Sequence, residues 1–252
     1  MHGHDPRSYG EQVAFGNIRN AVPWAKIGYN PDVDAGTEDV WMGGGVYAYP
    51  AAGGIQMQVV SSSGTDTLAG AGVQKVRINY LDPNYAEQSE VVNLNGVGAV
   101  NTVAVNIFRV QSFRAAQCGA NKLAAGNISL QSVGGATTYG VIGTGLTRGR
   151  AAIWTVPAGK RLYIQQFVGT VGGTAAAKVA IITLRYTYDD YTQTVTDFFL
   201  PCGEWIIEDG GFSCSSDVPA PIAATVDIKA SVTGLVADCR VSVMMRGFLV
   251  TL

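Results

Sequence analysis

The only two histidines, His2 and His4, form an H-x-H pair followed by Asp5 at the start of the chain. Three such pairs gathered on a threefold axis would offer six ring nitrogens to a transition metal. The plainer alternative is a solvated, unstructured beginning, and no metal or cofactor is expected. A Ser-His-Asp or Cys-His device would have to take its base from this terminus, which cannot hold near-attack geometry. "GFSCS" at 211–215 lacks the last glycine of a nucleophile elbow. "GTGLTRG" at 143–149 has one residue too many for a dinucleotide fingerprint, and no helix follows it. "AGKR" at 158–161 lacks the first glycine and the hydroxyl residue of a phosphate loop, so a turn accounts for it. No enzyme activity is expected.

Three groups remain that could bind something. Asp32, Asp34, Glu38 and Asp39 offer hard oxygen ligands suited to calcium, but their spacing departs from an EF-hand loop and fits a solvated acidic stretch. "RYTYDDYT" places Tyr186, Tyr188 and Tyr191 beside Asp189 and Asp190. Flat apolar faces next to hydrogen-bond acceptors suit a sugar ring, and they equally suit an exposed hairpin packed on a neighbouring subunit. The four cysteines, Cys118, Cys202, Cys214 and Cys239, lack zinc or redox spacing and read as buried thiols. A disulfide between Cys202 and Cys214, or one between subunits, is the alternative.

The elements that must position these residues are strands. Ile55, Met57 and Val59 alternate with polar residues, as do Val76, Ile78 and Tyr80. Asp82, Pro83 and Asn84 supply a turn, after which Val92 and Leu94 resume the pattern, so residues 73–96 read as a β-hairpin. A register change after Val103, Val105 and Ile107 predicts a strand bent by a bulge near 106–109. Ile128 and Leu130 mark a short strand, and the Gly-rich 132–150 stretch a loop or boundary. "AIWTVPAGKRLYIQQFV" reads as strand, turn, strand, residues 178–200 as two strands around Asp189 and Asp190, and 224–230 and 239–252 as further strands.

No run of 11 or more residues carries a helical stripe. The expected fold is all-β: two antiparallel, jelly-roll-like β-sandwich domains over 41–145 and 146–252, preceded by an extended N-terminal arm over 1–40. Charged residues are 14% of the chain, below the usual ~25%, and the net charge is −2, with no sequence cluster of Lys or Arg. This argues against a nucleic-acid or membrane partner and for a surface covered by other protein. No apolar signal core or span-length segment occurs, so synthesis as a soluble cytoplasmic protein is expected.

Residues 59–96, with "WTVPAGKRLYI" at 154–164, carry a recurring set of turns. These are a Ser-rich strand end (Ser61–Ser63), a Gly-rich loop (Gly70, Gly72), the hairpin from Leu81 to Gly96, and a turn from Val156 to Lys160. In these the chain resembles a family of tailed-bacteriophage virion structural proteins, over roughly residues 41–170. The resemblance implies a virion location. It further implies an accessory component attached to head, neck or tail; independently, low charge, strands throughout and an extended arm suit a symmetric homo-oligomer on the head or neck, as capsid decoration or collar, in contact with major capsid, portal or neck proteins. No catalytic residues are implied. The tyrosine-acidic hairpin supports the alternative, a receptor- or glycan-binding module of a tail fibre or spike.

Overall fold

The computed structural model describes residues 9–34, 36–173, 178–187, 199–216 and 219–252. After one short helix, α1 (Tyr9–Ala14), come β1 (Ala21–Val33), β2 (Gly36–Asp39), β3 (Met57–Ser61), β4 (Val73–Leu81), β5 (Glu87–Asn93) and β6 (Val100–Asn101). Next are β7 (Arg109–Cys118), β8 (Ile128–Ser132), β9 (Thr138–Ile142), β10 (Ile153–Thr155), β11 (Lys160–Gly172) and β12 (Val179–Thr187). The last are β13 (Phe199–Glu208), β14 (Gly210–Ser215), β15 (Pro221–Ile222), β16 (Asp227–Gly234) and β17 (Cys239–Thr251). Among the described residues no helix is long and apolar enough to cross a membrane.

The chain is all-β, with four small antiparallel sheets arranged in a propeller-like ring. Their strand orders are β1-β17-β11-β14 with β15 on β11, β10-β16-β12-β13, β6-β3-β8-β9, and β5-β4-β7. The last two sheets enclose one core, in which Met57, Ile78, Ile128, Leu130 and Ile142 are fully buried. The first two enclose another, around Leu162, Ile182, Ile228, Val241 and Met245. The hairpin forms as its pattern requires, with Val76 opposite Val92 and Tyr80 opposite Gln88. Its turn is held by the Asp82 carboxylate, which accepts from the amides of Asn84 and Ala86 at 2.9 and 3.0 Å.

Several expectations change. Residues 21–33 are no free arm: β1 lies along β17 from Ala21 opposite Val250 to Val33 opposite Cys239. Pro23 and Pro31 are tolerated because β1 is an edge strand, where a missing N–H breaks no ladder on the open side. Residues 103–108 make no bent strand. The Glu90 carboxylate takes the amides of Val103 and Ala104 at 2.7 and 2.9 Å, donors a ladder would need, and the strand starts only at Arg109. The Gly-rich stretch contains β9, which returns along β8. β10 and β11 are not a hairpin: the Pro157–Gly159 turn carries the chain from one sheet to another.

Asp66 explains the Ser- and Gly-rich motif. Its fully buried carboxylate accepts from Ser61 Oγ at 2.7 Å and from the amides of Val73, Ala125 and Gly126 at 2.8, 2.9 and 2.9 Å. A Cβ on Gly72 would lie 2.1 Å from Asp66 Oδ1, so that position takes only glycine.

β16 departs furthest from a half-buried strand. Ile228, Ala230 and Val232 enter the second core, but Asp227, Lys229 and Ser231 on the opposite face are buried too. Asp227 receives Arg109 Nε at 3.0 Å and Nη2 at 3.0 Å, together with the Thr155 hydroxyl. Lys229 Nζ and Ser231 Oγ reach the Asp39 carboxylate at 3.1 and 2.7 Å, and Asp39 also takes the Tyr47 amide at 2.9 Å. Arg109 begins β7 and Tyr47 belongs to the first core, so this row joins the two halves.

Asp227→Ala should therefore destabilise the chain by about 3–5 kcal/mol in urea unfolding, because Arg109 stays buried without its partner. The double variant Arg109→Met/Asp227→Leu should cost clearly less. Equal costs would contradict the pairing. Asp66→Ala should cost more than about 3 kcal/mol, since three amides and a hydroxyl lose a charged acceptor. A loss under about 1 kcal/mol would refute its role as the knot of that loop.

Candidate functional site

Among the described residues, those singled out from the sequence do not converge. His2, His4, Tyr188, Asp189, Asp190 and Tyr191 lie outside the described residues. Tyr186 stands on β12 opposite Leu200 and Ile228, with its ring packed against the second core. Cys202 and Cys214 are not joined but are free and exposed, as no buried thiol would be. Cys202 is on β13 with its thiol donating to the Leu184 carbonyl at 3.1 Å, whereas Cys214 is on β14 opposite Phe167 in a different sheet. Cys239 is the one buried thiol.

The acidic stretch divides. Asp32 and Asp34 approach Asp238 on the exposed surface. Glu38, on β2, accepts from Asn30 Nδ2 at 2.9 Å and from the amides of Asp34 and Gly45 at 3.0 and 2.7 Å. Asp39 is consumed by the β16 row. The Val156–Lys160 turn and the hairpin turn touch each other: the Ala158 amide donates to the Tyr85 carbonyl at 3.0 Å, and Lys160 pairs with Glu87, 73 residues away. Tyr85 holds a left-handed φ of 57°, with its ring edge-on to Phe108 at 5.4 Å.

A cavity of about 960 Å³ lies where β1, the hairpin, β7 and β9 face one another. β1 supplies Trp24 and Lys26, two residues apart and so on one face. The Trp24 ring leans on Trp154 with centroids 5.0 Å apart. The Lys26 ammonium donates to the Gln111 carbonyl oxygen. Gln111 is itself fixed, because the Thr155 amide donates to its Oε1 at 3.2 Å. Lys26 is half-buried as a residue, but its ammonium end is enclosed by protein, and that desolvation lowers its pKa from 10.5 to about 8.

Arg114 on β7 and Arg148 after β9 complete the wall from opposite sides of an antiparallel bridge. Arg150 follows, with its guanidinium 5.8 Å from the Tyr29 ring centroid. Four cations thus line one space, against a single carboxylate, Glu87, which is engaged by Lys160. Sequence reading missed this site, since residues 26, 114, 148 and 150 are dispersed along the chain. The period-two pair Trp24 and Lys26 was its only local sign.

No protein-family model matches the chain, and no curated protein is significantly similar to it. Among solved structures there is a weak likeness to that of infectious bursal disease virus, Gt strain. It has 10% identity over 93% of this chain and 73% of the viral chain, with a TM-score of 0.17. A score that low carries no argument.

Because Lys26 titrates lower folded than unfolded, the unfolded chain binds more protons between pH 8 and 10.5, so stability should rise with pH across that window. That rise should vanish in Lys26→Met, and the carbon-13 shift of the Lys26 side chain should titrate with a midpoint near 8. A midpoint near 10.5 would contradict the enclosure of its ammonium.

Proposed function

We propose that the chain is a structural subunit of a tailed-bacteriophage particle. In this reading it assembles as a symmetric homo-oligomer on the head or neck, as a decoration or collar protein in contact with capsid, portal or neck proteins. Each pair of sheets around a common core is then one antiparallel, jelly-roll-like sandwich.

The observation that carries the reading is the use made of the phage-like motifs. The Ser- and Gly-rich segment is a loop tied by Asp66, and the hairpin and Pro-Ala-Gly turns form a joint through Tyr85, Ala158, Glu87 and Lys160. These residues build rigidity and perform no chemistry among themselves, which suits a part that bears load in an assembly.

The surface supports the same reading. Val97, Val103 and Val105 are 68%, 88% and 66% exposed within nine residues. β14, "GGFSCS", is a sheet edge with no charge or proline to block pairing. Apolar, uncharged surface of this kind is what a repeated subunit covers with its neighbours.

Light scattering on the purified chain should give a whole-number multiple of the single-chain mass. Val103→Glu/Val105→Glu should shift it toward one chain without lowering the melting temperature by more than a few degrees. Mass spectrometry of purified particles should find many copies per particle. A monomer at all concentrations, together with absence from particles, would overturn the proposal.

A further inference from the structure

We propose that the cavity between β1, the hairpin and β7 binds an acidic saccharide, a sugar or short sugar chain bearing carboxylate or phosphate groups. The inference rests on the geometry of the cavity alone and stands or falls separately from the virion reading.

The charge distribution comes first. In a chain of net charge −2, four of the 17 Lys and Arg residues line one cavity, and the one carboxylate there already has a cation of its own. Arg114 and Arg148 stand across a β-bridge, where like charges are directly opposed and repel. Neither guanidinium has an ion-pair partner among the described residues. An anion seated between them removes the repulsion and can take two parallel N–H bonds from each fork, the geometry guanidinium offers to carboxylate and phosphate. Lys26 adds a point charge on the facing wall, where its position is set by the Gln111 carbonyl.

The remaining lining selects the body of the ligand. Trp24 lines the cavity and is only partly covered, so part of an indole beside the cations is available to the apolar side of a ring. Asn79 Nδ2 donates to Ser112 Oγ at 2.9 Å, which leaves the Asn79 carbonyl oxygen and the Ser112 hydroxyl proton for hydroxyl groups of a ligand. The volume falls in the range of roughly 300–1,000 Å³ typical of small-ligand sites.

Single-stranded nucleic acid fits less well, because it needs successive open aromatic platforms. Here Trp41, Phe113, Tyr139 and Trp154 are all buried, and only Trp24 offers a face.

The test is calorimetric titration of the full chain with trigalacturonate, mannose 6-phosphate and neutral maltotriose, at low and high salt. At least one acidic sugar should bind, at least tenfold more tightly than maltotriose, with affinity falling as salt rises. The two acidic probes separate a carboxylate from a phosphate preference. Arg114→Ser/Arg148→Ser should weaken that binding at least tenfold without lowering the melting temperature, since neither side chain has an ion-pair partner among the described residues and their mutual repulsion is removed. Trp24→Leu should weaken it several-fold at unchanged salt dependence. No binding of either acidic sugar, or binding indifferent to the arginine substitutions, would overturn the proposal. So would tighter binding of hexathymidylate or a hexaglutamate peptide, which would make the cavity a site for a different polyanion. Oligomeric state, read in parallel, reports on the virion reading and leaves this one unaffected.

Discussion

The relative placement of the two cores depends on a row of buried charges on one strand. Asp227, Lys229 and Ser231 project from the face of β16 that looks away from its own core, toward Arg109, Asp39 and the first half. An ion taken out of water without a partner costs several kcal/mol even after relaxation, whereas a paired and fully hydrogen-bonded one roughly breaks even. The row therefore adds little net stability but excludes other dockings, because any shift of one half against the other strands at least two charges. Arg109 shows the balance: burial alone would lower its pKa, but the charge and hydrogen bonds of Asp227 hold it above the ordinary value. Its guanidinium also lies over the rings of Phe108 and Tyr49, 4.0 and 4.6 Å from their centroids, so its flat faces are covered as well as its edges.

Other contacts lock the same junction. The Tyr85–Ala158 and Glu87–Lys160 contacts fasten the hairpin to the turn that enters β11. β1 crosses this region at Gly28, where a Cβ would come within 2.5 Å of Ala152 Cβ and the Val40 carbonyl oxygen. Only a glycine lets the strand pass so close. The two halves are thus fastened at several separate points.

The cavity is a by-product of that docking. Its walls come from β1, which belongs to the second core's sheets, and from the hairpin, β7 and β9 around the first core. Neither half contains it alone. Arg114 and Arg148 meet across a bridge between β7 and the segment after β9, and the docking of the two halves brings Lys26 of β1 to the same space, which explains how a weakly acidic chain holds a concentrated positive site.

Much of the fold was legible locally. Period-two alternation located β3, the hairpin, β8, β12 and β17, because a strand with one buried face writes its geometry directly into sequence, whereas β13 begins only at Phe199, where the second strand expected within 178–200 was to end. The Asp82-Pro83-Asn84 turn was legible for the same reason: its chemistry is contained within five residues. Where long-range partners took over, local reading failed. Glu90 captured the amides of Val103 and Ala104 where a strand was expected, and β17 drew the proline-bearing arm into a sheet. β16 was read from the alternation of its apolar residues alone, and nothing local marks its polar residues as buried because their counter-charges lie 118 and 190 residues away. The sequence by itself thus determined that the chain is built of antiparallel strands and is poor in charge, since side-chain alternation and composition are local quantities. Only the tertiary structure decided that Asp227 and Lys229 are buried, that Asp66 is a knot, and that Lys26, Arg114, Arg148 and Arg150 share one cavity. Desolvation and Coulomb interaction depend on distances in space, which separation along the chain does not encode.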